Sequence, residues 1–290
     1  MLKSILIVTI AVLNLNSVET AYEEYLDYAT VEHGVVSEEL ATTWATPAMT
    51  GHDYLIMQPA SEAPVYLRFV ENPPVDGYAP MTTHGWNSTE LLVQDPDAMA
   101  ERLADSPFKI IGGPKDLWNA PDAPRAMQAI GPGNEVVYLT RNVDFEINTP
   151  IDRMFIMVVA GPSMDDMSAF YRDRLGLEVG EATPFQITGI TNAQGLPEET
   201  TYPLAVATVS PEFLLELDEY PPSAPPRPIA EGHLPPGIAM VSFEVTDLDA
   251  LDVDWRAAPQ SIDGFPYDGR RVGVTLGGAG EWIELIEAGD

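Results

Sequence analysis

Leu91-Leu92-Val93-Gln94-Asp95-Pro96-Asp97-Ala98-Met99 and Phe243-Glu244-Val245-Thr246-Asp247-Leu248-Asp249-Ala250-Leu251 are one pattern written twice. In each, an apolar strand runs into an aspartate suited to capping a helix, and an amphipathic segment follows. A second pair sets Ala11-Val12-Leu13-Asn14-Leu15, running on to Tyr22, against Ala160-Gly161-Pro162-Ser163-Met164, running on to Tyr171. Further short apolar runs follow each helix start. The chain therefore reads as about four copies of a strand–helix–strand–strand–strand unit. Repetition on this scale settles an architecture before any single element is placed.

The units fall at 3–75, 84–143, 151–220 and 237–290. In the first, a strand at 4–12 leads to Asn16 or Ser17 as helix cap, and strands are expected at 54–57 and 65–70. The second has a strand ending at Val93, a helix over 95–104, and strands at 108–111, 126–130 and 135–139, the last two joined by the turn Gly131-Pro132-Gly133-Asn134. The third opens with a strand at 154–159. Its helix carries Met167, Phe170, Tyr171 and Leu175 on one face, Gly176 closes it, and strands follow near 203–209 and 213–218. The run Tyr220-Pro221-Pro222-Ser223-Ala224-Pro225-Pro226-Arg227-Pro228 is too proline-rich for a helix or central strand and reads as a stiff linker. The fourth unit ends in strands at 272–276 and 282–287. The expected fold is α+β: four βαβββ units paired into two tandem domains, one over 1–143 and one over 151–290. Each pair forms a curved sheet whose concave face must be filled by side chains or by a ligand.

Composition narrows the function. A chain of 290 residues can bury two substantial cores. Its 45 acidic and 14 basic residues give a net charge of −31, a field that repels nucleic acid and anionic membrane surfaces. The absence of cysteine excludes disulfides, thiol nucleophiles and thiolate metal sites. Residues 4–13, behind Lys3, imitate the apolar core of a secretory signal. Glu19 would stand three residues before a cut after Ala21, where a small residue is needed, and the stretch matches the first strand of the repeat. It is read as a strand, with the cytoplasm as expected location, where the Asn87-Ser88-Thr89 sequon has no meaning. No other run is apolar and long enough to span a membrane. Gly112-Gly113-Pro114 and Gly277-Gly278-Ala279-Gly280 precede no helix and so make no phosphate-binding loop.

The segment Met164-Asp165-Asp166-Met167-Ser168-Ala169-Phe170-Tyr171-Arg172-Asp173-Arg174-Leu175-Gly176-Leu177 resembles the first helix and Leu-Gly turn of the vicinal oxygen chelate superfamily. That superfamily includes glyoxalases, bleomycin-resistance proteins and extradiol dioxygenases. Gly280-Glu281-Trp282-Ile283-Glu284-Leu285-Ile286-Glu287 is similar to its closing strand, and with the repeats the resemblance covers nearly the whole chain. Metal-dependent members draw ligands from the first strand of a unit, usually His, and from its last strand, usually Glu. Carried over by the flanking motifs, the first-strand positions fall at Ile7, Ser88, Ile156 and Met240, and the last-strand positions at Arg68, Tyr138, Glu216 and Glu284. A divalent ion wants three or four oxygen or imidazole donors at about 2.0–2.2 Å. Hydrocarbon at Ile7, Ile156 and Met240 removes donors, so the resemblance implies a dismantled metal site and no cofactor.

Glu216 and Glu284 hold matching positions in the third and fourth units, which would set two carboxylates face to face across one cup. Like charges in a partly apolar cavity push one pKa up, giving a base and an acid. The bland reading is two surface residues among many acidic ones. Tyr138 and Arg68 would share the other cup and polarise a ligand's carbonyl or carboxylate; otherwise they are a core aromatic and a solvated base. His84 and His233 precede first strands and His33 and His52 belong to the first unit, all equally readable as ordinary exposed histidines. The connections 113–125, with Trp118, and 183–200, with Phe185, are long enough to be lids or binding edges.

The function expected is a metal-independent enzyme of lyase or isomerase type. It would act by acid–base chemistry on a small organic molecule, aromatic or polyketide-like. Its catalytic candidates are Glu284, Glu216, Tyr138 and His84, and its substrate-binding candidates Arg68, Trp118, Ile156 and Met240. Two alternatives stay open: a small-molecule binding or sequestering protein resembling bleomycin-resistance proteins, and a metal-dependent enzyme of glyoxalase or extradiol-dioxygenase type. The sequence also leaves open whether paired units belong to one chain or to two copies in a homodimer.

Overall fold

Near-continuous hydrocarbon makes β1 (Leu2–Val12) a strand that can only be central, and it lies with sheet neighbours on both sides. The computed structural model describes residues 2–289. After β1 come α1 (Leu15–Leu26), β2 (Tyr28–Val35), α2 (Glu38–Trp44), β3 (Asp53–Pro59) and β4 (Tyr66–Glu71). Asn14, rather than Asn16 or Ser17, caps α1: its backbone is extended and its side chain accepts from the Ser17 N–H at 2.9 Å. The second unit is β5 (Gly85–Val93), α3 (Pro96–Leu103), β6 (Lys109–Asp116), β7 (Arg125–Ile130) and β8 (Val136–Arg141). Asp95 caps α3 with Pro96 in its first turn, the order the sequence shows.

The third unit is β9 (Ile151–Gly161), α4 (Met164–Ala169) continuing into a π-helical turn over Phe170–Arg174, β10 (Glu178–Val179), β11 (Thr183–Phe185), α5 (Thr188–Gln194), β12 (Tyr202–Ser210) and β13 (Phe213–Glu219). The fourth is β14 (Gly237–Val245), β15 (Gln260–Ser261), β16 (Arg271–Leu276) and β17 (Trp282–Glu287). The helix expected after Asp247 is absent. Beyond Leu248 the apolar residues Leu251, Val253 and Trp255 alternate, which is the period of extended chain, and all three pack on the core. Trp255 bridges Thr275 instead of entering a helix.

Two sheets result. One runs β15-β16-β17-β14-β1-β4-β3-β2, the other β10-β12-β13-β9-β5-β8-β7-β6, with β11 on β12. The sequence reading puts neighbouring units in one sheet. The hydrogen bonding joins the first unit to the fourth through antiparallel β1 and β14, and the second to the third through β5 and β9. The connections explain this. Residues 142–150 link strands of the same sheet, whereas the longer proline-bearing segments 72–84 and 220–236 each carry the chain from one sheet to the other. Stiff extended chain suits a crossover of that length.

Neighbouring units meet through the core rather than through sheet edges. The Tyr22 hydroxyl donates to Glu135 Oε1 at 2.8 Å, and the Tyr171 hydroxyl donates to Glu281 Oε1 at 2.6 Å, joining units one to two and three to four. Each glutamate sits four residues after a glycine that makes room for it. A Cβ on Gly131 would lie 1.8 Å from Glu135 Oε1, and one on Gly277 1.9 Å from Glu281 Oε1. Gly131→Ala is therefore expected to push the carboxylate off Tyr22 and to destabilise the fold by about 1–3 kcal/mol in urea unfolding. In that background Tyr22→Phe should cost little more; a full additional loss would show the hydrogen bond survived.

Candidate active site

Side chains alternate across a strand, so register decides which residues share a concave face. β4 beside β1 sets Arg68 against Thr9, and β17 beside β14 sets Glu284 against Ser242. β8 beside β5 sets Tyr138 against Glu90, and β13 beside β9 sets Glu216 against Val158. Arg68, Tyr138, Glu216 and Glu284 thus hold equivalent places. Their first-strand partners are Thr9, Glu90, Val158 and Ser242, each two residues beyond the positions read from sequence at Ile7, Ser88, Ile156 and Met240. A slip of two keeps the face and changes the residue.

The cup of the first and fourth units is filled by the protein's own side chains. Arg68, 1% exposed, faces fully buried Glu284 at 3.3 Å. Its guanidinium also donates to Thr9 Oγ1 at 2.8 and 3.0 Å and to the Tyr267 hydroxyl, and stacks over Trp44 with 4.6 Å to the ring centroid. Glu284 accepts from Trp44 Nε1 at 2.7 Å, from the Tyr267 hydroxyl at 2.9 Å and from the Ser242 hydroxyl. Burial opposes the charge on Arg68, but Tyr267 and Glu284 outweigh it and its pKa is raised. Trp44 arrives from the end of α2, which reaches over this cup to the fourth unit, where Gln260 Nε2 donates to Thr43 Oγ1 at 2.7 Å.

The cup of the second and third units is open. A cavity of about 430 Å³ is lined by Glu90, Gln128, Tyr138 and Glu216 from the sheet, with Lys115–Leu117 from the end of β6 and 184–189 from β11 and α5 at its rim. Burial pushes Glu90 up to about 7, with the Thr140 hydroxyl opposing. Glu216 is raised well above the carboxylate range by burial and then by Asp218 and Glu90, and burial raises Asp218 in turn. Burial and the same carboxyls keep the Tyr138 phenol protonated. Protonated acids beside a group that titrates near neutrality can both give and take a proton.

This arrangement corrects several expectations. Glu216 and Glu284 do not face one another; they lie in different sheets. Nor do Arg68 and Tyr138 share a cup: Arg68 belongs with Glu284, Tyr138 with Glu216. Met240 is part of the hydrocarbon filling the first cup, and Ile156 is half-buried on β9 outside the cavity lining. Trp118 is 52% exposed and away from the cavity, which its neighbour Leu117 does line. His84 is buried against the 220–236 crossover, where its backbone N–H donates to Pro225 O at 3.1 Å. His33 lies beside Glu19 at 3.1 Å, and His52 beside His233. The 183–200 connection holds β11 and α5, and 184–189 edge the cavity. Glu90 and Gln128 were missed. The signal for Glu90 was a lone carboxylate inside a strand otherwise apolar or small, buried along its whole length.

The residues of the first cup do not fit a divalent ion, because the Arg68 guanidinium already occupies the side of Glu284 that a cation would take. In the second, Val158 and Tyr138 hold two of the four equivalent places, leaving Glu90 and Glu216 as carboxylate donors. Among the described residues, no group of three or more His, Asp or Glu converges in a way that would hold a metal.

No family profile matches the chain, and no curated protein matches it. Solved structures do. Glyoxalase I from Zea mays superposes with a TM-score of 0.65 at 14% identity, over 98% of this chain and 92% of that one. A candidate dioxygenase from Bacillus subtilis gives 0.61 at 10% identity, over 99% and 85%. The tandem arrangement of four units, and its match to these structures end to end, give this chain the fold of the vicinal oxygen chelate superfamily.

Proposed function

We propose that the cup of the second and third units is the active site of an acid–base enzyme of lyase or isomerase type, acting on a small organic molecule without a metal. The observation that carries this reading is the meeting of Glu90, Glu216 and Tyr138 at the floor of an open cavity. A volume near 430 Å³ suits a molecule of one or two rings. Phe185, Ile187 and Leu117 offer apolar cover at the rim. Glu90, close to half ionised at neutral pH, takes a proton from carbon next to a carbonyl. The Tyr138 phenol, which stays protonated, donates a hydrogen bond to the oxygen where charge develops. Return of the proton to another carbon isomerises the substrate; loss of a leaving group completes an elimination.

The test is a thermal-shift screen of small carbonyl compounds, followed by proton NMR of the hits in deuterated water. The wild-type protein should speed deuterium uptake at the acidic carbon. Glu90→Gln should slow it by about 10²–10⁴-fold while changing affinity little. Hits that bind the wild-type protein without any exchange would sink the enzyme reading and leave a sequestering protein.

A further inference from the structure

The two cups are built on one plan, and the difference between them lies in charge. In the first, Glu284 is matched by a cation of the chain itself, Arg68, supplied from the last strand of the facing unit. In the second, that strand carries Tyr138 at the equivalent place, and Glu216 has no such partner. Asp218, two residues along the same face, is 1% exposed, and neither of its carboxylate oxygens has a hydrogen-bond partner. Glu90 comes from the opposite side, near enough to raise Glu216. Among the described residues, no Lys or Arg lies within ion-pair distance of Glu90, Glu216 or Asp218. Lys115, at the rim, is exposed, bonds Thr188 Oγ1 at 3.2 Å and stands next to Asp116. Arg227, on the 220–236 crossover itself, donates to the carbonyls of Trp86 at 2.6 Å and Ile238 at 2.7 Å. A buried carboxyl cluster without a cation is costly unless protons or a charged ligand compensate it.

We propose that this cup takes the cationic head of an organic ligand, an amine, amidine or guanidine on an aromatic body, in the place that Arg68 holds in the sister cup. The inference rests on the reading of this cup as the functional site and narrows its ligand. The head pairs with Glu216 on the cavity lining, buried Asp218 behind it adds to the negative charge, and the body lies toward Phe185 and Ile187 at the rim. On binding, protons held by the carboxyls leave to solvent as the ligand's charge replaces them.

Calorimetry on the full chain at neutral pH tests this with benzamidine and 2-phenylethylamine against benzamide, 2-phenylethanol and phenylacetate. The cations should bind at least about tenfold tighter than their neutral counterparts. Their heats should vary with the ionisation enthalpy of the buffer, the sign of proton release. Glu216→Gln and Asp218→Asn should each erase the preference. Tyr138→Arg, which installs the sister cup's own cation, should abolish amine binding and raise the melting temperature. Equal affinity for neutral probes, amine binding untouched by Glu216→Gln, or no amine binding at millimolar concentration would each overturn the proposal. Those failures leave the acid–base reading to the deuterium-exchange experiment; loss of exchange with amine binding intact would sink that reading alone.

Discussion

Replacing Arg68 by methionine lowers the stability of the folded chain by about 3–5 kcal/mol, read from urea unfolding midpoints. The guanidinium is buried and holds together residues from both units of its sheet: Thr9 and Glu284 on the strands, Tyr267 from the loop before β16, and Trp44 from α2. Methionine matches much of its volume and none of its charge, so Glu284 is left buried without a counter-ion. Trp44, Tyr267 and Ser242 still donate to that carboxylate, which places the loss below that of a fully orphaned ion. Glu284→Gln alone leaves Arg68 uncompensated in the same way. The double variant should cost clearly less than the two single losses summed, because it removes both members of the pair. Additive losses would mean that Arg68 contributes packing alone, and the comparison between the two cups would lose its basis.

Much of this organisation was legible in the residues, and the illegible part has a physical cause. Repetition gave the units. The matching places of Tyr22 and Tyr171 in the repeat return as two equivalent tyrosine–glutamate bonds. Strand edges were also readable, because hydrocarbon runs stop at Gly, Pro, Asn and Asp. Sheet partners were not: pairing depends on where a linker ends, and nothing local in β1 names β14. The length and proline content of 72–84 and 220–236 carried the hint; the run 220–228 reads as a stiff linker, and nothing in it says which sheet lies at either end. The site suffered from the same blindness. Glu216 and Glu284 occupy matching places, but only the sheet order shows that each faces a different neighbour. The first-strand positions lie two residues short in every unit, because flanking motifs fix the face of a strand and not the step along it, which the parallel partner sets. That is how Glu90 was passed over for Ser88.

Stability should fall as pH rises from about 4.5 through 7, the opposite of ordinary acid denaturation. Glu135 and Glu281 are buried, and burial pushes each from the usual 4.5 up to about 7, against the hydrogen bonds from Tyr22 and Tyr171. A carboxyl whose folded pKa lies above its unfolded value binds more protons folded than unfolded. Its contribution is complete below pH 4.5 and is lost as pH climbs through 7. A displacement of that size corresponds to roughly 3 kcal/mol per group as an upper bound. Glu90 follows the same course, and Asp218 is displaced in the same direction. Self-repulsion within a chain of net charge −31 works the same way, so the slope alone does not identify its source. The double variant Glu135→Gln/Glu281→Gln separates the two, since it removes two buried titrations and changes the net charge little. Melting temperatures taken from pH 5 to 8 should fall steeply in the wild-type protein and markedly less in the variant. Equal slopes would assign the whole effect to surface charge and would mean that both carboxyls titrate as if solvated. Either way the tyrosine partners decide the detail. Tyr22→Phe removes the one side-chain donor to Glu135, so the folded midpoint should move further up, and the window of pH-dependent loss, which still starts at the unfolded value, should extend to higher pH.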